Sequence, residues 1–531
     1  MVSRRPGAWW ATLAFNLALV LAPVGVALGV LAVIVPTVMP GVGFWDTAES
    51  QTVPPILGTM HPTGFPAYVV LGWLASTVLA PLGEPAFRMN LLSAVLVATA
   101  AGLTVVLVRR LTGSAPIAAA AGIGLALTPI AWRIGTHADA HALHLALFAL
   151  LLVLLVEWGR RHAACDTRAG RWLIASAGAF GVAAANHSLT LLLPPAIAIY
   201  VLAVDPQILR RPRLVLACMA VLAVVMVLLY LELPLRAGPF RAPLVYGRPE
   251  TWEGFRYIVL AEQFRGSLVD PFGDLGGRLG QLVDLAAAQF GILAPLVPLG
   301  FLATVRRAPH YALLTGLAAA VTVVFAVSYV NADIGRYYLG PALIAWTWLA
   351  VLAVTGVEAV VALIRPPPGE LAGDPSRADE RRPRAGPVDA TVAALIALAL
   401  VVPTLGALPV RASQLDESGN RVAGRWLDAA LAAMEPNAVV VSWWSYSATL
   451  WYGQHIEGRF PDGFIVDDRT RLDLELGEVT DVIDDYLGTL PVYVIRASPG
   501  DVAALGGRYV LEAVPSVTLL YRVVARVGAS S

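Results

Sequence analysis

The sequence predicts an all-α polytopic membrane domain followed by a small α/β domain. Three observations carry this reading. Of 531 residues, 57% are hydrophobic and only 14% are charged, with mean hydropathy +0.70, whereas soluble domains carry about 25% charged residues. Apolar runs recur up to about residue 410, each near the roughly 20 residues that cross a bilayer as a helix. From Arg411 the composition turns soluble, and helical patterns alternate with short apolar strands.

The apolar segments lie near 9–36, 66–82, 89–108, 115–132, 140–158, 172–204, 214–235, 283–305, 309–330, 339–364 and 388–410. Segment 172–204 is too long for one crossing and contains Asn186-His187 and Pro194-Pro195, so it divides in two. Ser3-Arg4-Arg5 before an apolar run resembles a signal peptide, but the run continues to about Pro36 without a small-residue cleavage site, which predicts an uncleaved first span. Arginine clusters set the orientation: Arg4-Arg5, Arg109-Arg110, Arg160-Arg161, Arg210-Arg211, Arg306-Arg307 and the stretch Arg365 to Arg384. All of them fall inside only if 66–82 does not cross. That short segment is therefore read as an interfacial or re-entrant helix. The topology becomes about eleven transmembrane helices, N-terminus cytoplasmic and C-terminal domain extracytoplasmic, in a multi-pass protein of the cell membrane.

The domain division is 1–410 for the membrane part and 411–531 for the α/β part. Within the first lie an outer loop at 37–88, a large outer loop at 236–282 and a charged, Pro-rich cytoplasmic linker at 365–387. In the second, strands are expected within 438–444, 464–468, 491–497, 509–514 and 517–524, with helices at 420–434, 446–456 and 478–487.

The chain carries no Lys, its net charge is zero, and no basic domain points to nucleic acid. Cys165 and Cys218 are far apart and lack zinc or redox spacing. The first outer loop is the least membrane-like part of the N-terminal third. It holds Asp46 and Glu49, then His61 opening His-Pro-Thr-Gly-Phe-Pro. A helix over Asp46 to Gln51 would put both carboxylates on one face. Pro54, Pro55, Pro62 and Pro66 forbid a long continuous helix there. The topology also gathers the other unusual polar residues on the outer side: Arg88, Asn90, His137, Asp139, His141, Asn186, His187, Arg236, Asp333, Arg336 and Tyr337. Polar groups near spans are costly and often functional, so one site at the outer membrane surface is expected.

These residues carry a resemblance. Asp46-x-x-Glu49 followed by His61-Pro-x-Gly-x-Pro resembles the N-terminal signature of the bacterial domain-of-unknown-function family 2723, also classed as glycosyltransferase family 117. That family is related to the eukaryotic transmembrane O-mannosyltransferase of plexin-type receptors, and both belong to the GT-C superfamily. Further matches follow in order: Ala86-Phe87-Arg88-Met89-Asn90, Pro129-Ile130-Ala131-Trp132, Ala138-Asp139-Ala140-His141, Asn186-His187, the stretch Tyr230 to Arg236, and Tyr337-Tyr338. The resemblance covers roughly residues 10–240 well and the later spans loosely. It departs at Thr47-Ala48, where the family often has Ser-Gly, and at Thr63, where a second Pro is usual.

The resemblance implies a GT-C fold with a catalytic carboxylate in the first outer loop. It also implies a polyprenyl-phosphate sugar as donor. Transfer needs a base for the acceptor hydroxyl and a cation for the leaving phosphate. Asp46 is the expected base, with its pKa raised toward the working pH by an apolar boundary. Glu49 would orient it, hold the sugar or share a metal. The structural alternative is that Asp46 caps a helix and Glu49 complements its dipole.

Arg236 is the expected phosphate clamp, with Arg88 and Arg336 as rivals; interfacial snorkelling is the alternative for each. His61, Asn90, His137, Asp139, His141, Asn186, His187 and Tyr337 are expected to line the donor or acceptor site. Hydrogen bonding or helix-end capping by His137, Asp139 and His141 is favoured over metal binding. A divalent cation, Mg or Mn, is left open. The Trp443-Trp444 and Trp451-Tyr452 pairs are read as core of the outer domain rather than a carbohydrate platform.

The expected function is an inverting membrane glycosyltransferase. It would move a sugar, mannose by analogy, to a hydroxyl of an exported protein or a glycan. The competing expectations are a transporter of a lipid or small solute, and a receptor whose outer domain binds a ligand.

Overall fold

The structure is a computed structural model that describes residues 7–331, 333–364 and 387–528. The Arg4-Arg5 cluster and the expected linker lie outside the described residues, apart from Pro387, which opens a helix. In chain order the helices are α1 (Gly7–Ile34), α2 (Trp45–Thr52), α3 (Pro66–Val78), α4 (Pro85–Thr112), α5 (Ala115–Ala126), α6 (Pro129–Thr136), α7 (Ala140–Ala163), α8 (Gly170–Asn186) and α9 (Pro194–Val204). There follow α10 (Pro212–Tyr230), α11 (Glu232–Ala237), α12 (Trp252–Val259), α13 (Leu275–Phe290), α14 (Leu296–Arg307), α15 (Pro309–Val327), α16 (Leu339–Ile364), α17 (Pro387–Gly406) and α18 (Leu408–Leu415).

Among the described residues six helical stretches are long and apolar enough to cross a bilayer, or up to eight if the bent pairs α5–α6 and α13–α14 each count as one. The chain is a multi-pass membrane protein. Every apolar segment read from the sequence coincides with a helix or with one of these bent pairs. The bends of 62° and 78° have local causes. Pro129 forces Thr128 into an extended conformation, and Thr128 then caps α6 through the Ala131 amide. Gly291, at φ +55, ends α13, and Pro295 precedes α14. Helix α3 has 13 residues, so at 1.5 Å per residue it reaches about 20 Å, short of the roughly 30 Å hydrocarbon layer.

Helices α4 and α7 run parallel. At one end Asn90 Oδ1 accepts from the Ala138 amide (2.8 Å), and at the other Arg110 pairs with Glu157 (3.4 Å). That second end collects the arginines: Arg160 and Arg161 also meet Glu157, Arg211 meets Asp205, and Arg307 meets Glu358. The first end carries the polar loops and the C-terminal unit.

That unit contains α19 (Val422–Ala433), α20 (Trp444–His455), α21 (Asp468–Asp473), α22 (Val479–Tyr486) and α23 (Pro499–Gly506). Its sheet has strands β1 (Val439–Val441), β2 (Phe464–Val466), β3 (Val492–Ile495), β4 (Tyr509–Ala513) and β5 (Leu520–Arg526), in the order β2-β1-β3-β5-β4. The first three are parallel and β5 is antiparallel to both β3 and β4. All five expected strands are present. Alternate side chains take opposite faces: Val440 and Tyr493 pack with Trp426, Leu427 and Leu450, whereas Val439, Val441 and Val494 pack with Val482, Ile483 and Leu505. The first of these layers also takes in Val42, Ala48 and Ala86 of the membrane part, which seats the unit on the first loop. Polar ties reinforce the contact, Thr449 Oγ1 donating to the Gly43 carbonyl (2.9 Å) and the Ala86 amide to Tyr452 Oη (3.2 Å).

Candidate active site

Helix α2 opens the site. Its N-cap, Phe44, makes no side-chain capping bond, and Asp46 is not a cap either. Asp46 Oδ2 accepts from Arg336 Nη2 (2.6 Å), and Oδ1 accepts from Trp444 Nε1 (3.3 Å). Its side chain remains 34% exposed. Glu49, one turn on, is buried. Its Oε1 accepts from the His61 amide (2.7 Å) and its Oε2 pairs with His61 Nδ1. The chain between them turns back because α2 ends at Thr52 before Pro54 and Pro55. Gly64 completes the turn at φ +76, where a Cβ would stand 2.8 Å from Ile258 Cγ2. The His61 ring is boxed by Phe65, Phe264 and Trp444 at 5.1, 6.1 and 5.6 Å.

Arg336 joins the loop to the helix ends. Besides Asp46 it reaches Asp139, from Nη1 to Oδ2 (3.4 Å), and Asp333 lies 3.9 Å from its Nε. Asp139 is the N-cap of α7, accepting the His141 amide (2.7 Å), and its Oδ1 also meets His141 Nδ1 (2.9 Å). The His141 ring packs against His187 (4.4 Å) and Tyr337 (5.4 Å). Among the described residues His141 Nε2 and Arg336 Nε have no hydrogen-bond partner. A continuous polar line thus runs from His61 and Glu49 past Asp46, Arg336 and Asp139 to His141, His187 and Tyr337.

Other sequence candidates stand apart from this line. Arg88 donates to the carbonyls of Gly83 (2.7 Å) and Ser76 (3.1 Å), holding the end of α3. Asn90 is fully buried and ties the Met39 carbonyl, the Gln51 amide and the Ala138 amide together. Arg236 donates from Nε to the Leu57 carbonyl (2.9 Å) and from Nη2 to that of Ile56 (3.1 Å), so it anchors the first loop. His137 meets Thr136 Oγ1 (3.2 Å), and Asn186 Nδ2 donates to the Ala140 carbonyl (3.1 Å), linking α8 to α7.

The electrostatics differ from the expectation for Asp46. Burial favours its neutral form, but His61 and Arg336 outweigh this and hold the carboxyl below its ordinary value. Asp139 is lowered likewise, against its burial, by His141 and Arg336. Burial opposes charge on His61, yet the carboxylates of Glu49 and Asp46 raise its pKa. Among the described residues no group of three His, Cys, Asp or Glu side chains is arranged to hold a metal. The guanidinium of Arg336 lies between Asp46 and Asp139.

Comparisons with known proteins bear on relatives and on fold. Residues 46–209 match the family described as the protein O-mannosyl-transferase TMEM260 N-terminal domain. The TMEM260-like stretch contains Asp46, Glu49, His61, Asp139, His141 and His187; Arg336 and Trp444 lie beyond it. A curated relative, protein O-mannosyl-transferase TMEM260 of Mus musculus, is 30% identical over 243 residues. The match covers 44% of this chain and 33% of that protein, so the chain spans about a third of the relative it matches. Among solved structures, ArnT from Cupriavidus metallidurans bound to undecaprenyl phosphate superposes with TM-score 0.59 at 17% identity, covering 95% of this chain and 97% of that one. The oligosaccharyltransferase of Archaeoglobus fulgidus in complex with Zn and sulfate gives TM-score 0.53 at 15% identity, covering 95% and 73%. These two likenesses are of fold alone.

Trp444 was read from the sequence as core. Trp451 and Tyr452 are core, but Trp444 is half-buried and reaches Asp46. A signal for it existed. Trp444 follows the carboxyl end of β1, and loops at the carboxyl ends of parallel strands are where α/β sheets place their ligands.

Proposed function

We propose that the protein is a membrane glycosyltransferase. It moves a sugar, mannose by analogy with TMEM260, from a polyprenyl-phosphate donor to a hydroxyl of an exported protein or glycan, with inversion. The reaction takes place on the extracytoplasmic side, which carries the C-terminal unit; residues 1–410 form the membrane part and 411–531 the outer domain. The observation that carries this reading is Asp46, an ionised and partly exposed carboxylate held by Arg336 and Trp444 at the polar end of the bundle.

In this reading the acceptor oxygen attacks the anomeric carbon, the bond from that carbon to the phosphate oxygen breaks, and the hydroxyl proton passes to Asp46. A lowered pKa suits a proton that moves late, because the attacking hydroxyl becomes strongly acidic as its oxygen bonds to carbon. The phosphate leaves with both bonding electrons. Arg336 offers its Nε–H, which has no hydrogen-bond partner among the described residues and lies 3.9 Å from Asp333, to the departing oxygens. Arg236 and Arg88 serve the backbone. Arg336 supplies one positive charge among Asp46, Asp139 and Asp333, and no step is assigned to a metal.

The test is purified protein given a panel of polyprenyl-phosphate sugars and Ser/Thr-bearing acceptors, with and without EDTA, scored by product mass. Transfer that persists in EDTA is expected. Uptake of lipid or solute into vesicles without any transfer would overturn the reading.

A further inference from the structure

The polar line has a buried side and an exposed rim. Glu49, Asp139, His141 and His187 are buried. Asp46 is exposed in part, and the side chain of Asp333, which shares Arg336 with it, is 52% exposed. Beside Asp46 on this rim stands Trp45, itself 53% exposed. Trp45 is the first residue of α2 and holds φ +57, a left-handed conformation that bulky side chains rarely adopt. The strain sits at an indole that gains little burial in return, the pattern of a residue kept for contact with a ligand.

Trp443 braces that indole. The two rings meet edge to face at 5.0 Å and 87°, and Trp443 in turn lies 5.9 Å from Tyr446. Trp444 turns the other way and donates to Asp46. The corner therefore joins the first loop to the C-terminal unit directly at the acid. It lies outside the matched domain: Trp45 precedes the TMEM260-like stretch by one residue, and Trp443 is far beyond it.

The chemistry of this rim fits a pyranose. A hexose presents C–H bonds on one face and hydroxyls around its edge. The face of an indole is the negative side of its quadrupole and attracts such C–H groups. The carboxylates of Asp46 and Asp333 accept from hydroxyls and disfavour a phosphate or a uronic acid. An extended peptide finds less to hold. Strand addition needs an open sheet edge, and β1, which ends two residues before Trp443, is paired on both sides. The buried side, with the Nε–H of Arg336, serves the lipid-linked donor, which leaves the exposed rim for the acceptor.

We infer that Trp45 is the acceptor platform: a neutral pyranose of a glycan stacks on its indole, which sets one sugar hydroxyl at Asp46. This rests on the glycosyltransferase reading and narrows its acceptor to a glycan. The proton of that hydroxyl passes to Asp46 in the step already described.

The experiment is transfer from polyprenyl-phosphate hexoses by the full chain to two acceptor panels, manno-, gluco- and galacto-trisaccharides and Ser/Thr peptides. Transfer to a trisaccharide is expected. Trp45→Ala should raise the trisaccharide KM about tenfold, the equivalent of roughly 1.4 kcal/mol. Trp45→Phe, which keeps an aromatic face, should recover most of that loss, and the donor KM should stay unchanged in both. Trp45→Gly relieves the left-handed strain, so it should melt at or above the wild-type temperature while losing the acceptor. Transfer to peptides alone or an unchanged trisaccharide KM would overturn the inference. So would equal weakening of donor and acceptor, the mark of an aromatic membrane anchor. If the wild type transfers no sugar at all, the glycosyltransferase reading falls. Magnetisation transfer from the protein to trisaccharide protons, read by NMR, then decides the platform alone: a signal lost in Trp45→Ala upholds it, and no signal, or one unchanged in that variant, sinks it.

Discussion

Arg336 Nη2 stands 2.6 Å from Asp46 Oδ2, across 290 residues of chain. With His61, the contact holds a partly exposed carboxyl below its ordinary pKa, and it joins the first loop to the start of α16. It turns two separately legible motifs into one site.

Asp46→Asn keeps the size of the side chain and its contact with Trp444 but removes the proton acceptor. Loss of a general base costs about 10²–10⁴-fold in rate, so transfer should fall by that much with membrane expression retained. Product mass against time checks the first, and detergent gel filtration the second. Wild-type turnover in this variant would remove Asp46 from the chemistry.

Arg336→Gln should reduce transfer and also move its pH dependence. Asp46 is lowered in the folded protein, against burial, by His61 and Arg336, so activity that needs its ionised form persists above its pKa and is lost as pH falls through it. Without the guanidinium that pKa rises. The acid limb of kcat/KM should therefore shift to higher pH, which a pH–rate profile reads directly; an unshifted limb argues against Asp46 as the titrating base.

Arg236→Gln separates anchoring from phosphate binding. The side chain holds two backbone carbonyls of the first loop, at 2.9 and 3.1 Å. Hydrogen bonds from a charged donor contribute about 1.5–3 kcal/mol, so the variant should unfold more easily. Sugar-free polyprenyl phosphate should bind it as it binds wild type. Selective loss of lipid-phosphate affinity at wild-type stability would restore Arg236 as the clamp.

The Glu49–His61 pair should make stability depend on pH. The folded pKa of His61 is raised: burial opposes this, and Glu49 and Asp46 overcome it. Its contribution is therefore complete below the unfolded value of about 6.5 and is lost as pH rises through the folded value. Thermal unfolding should show a decline on that alkaline side, and His61→Phe should flatten it. Glu49→Gln, which breaks a buried pair, should cost about 3–5 kcal/mol.

Much of this was legible because it was local. Asp46, Glu49 and His61 sit in one short loop whose prolines dictate its path, and five strands announced themselves as short apolar runs. The bends at Thr128 and Gly291 were also written in the sequence, but each segment reads as one uninterrupted apolar run. What the sequence does not encode locally is which partner a long side chain meets. Three outer arginines looked alike; the fold gives Arg336 three carboxylates and leaves Arg88 and Arg236 on backbone carbonyls. Asp46 was expected at a raised pKa because its guanidinium partner arrives from a distant loop.

The bond from Trp444 to Asp46 spans 398 residues, which sets a timetable during synthesis. The acidic helix leaves the ribosome early and crosses most of the insertion process without its aromatic neighbour. Only after the sheet unit is made and folded can the cleft close around it. A nascent or truncated chain therefore carries the acid but not the finished cleft.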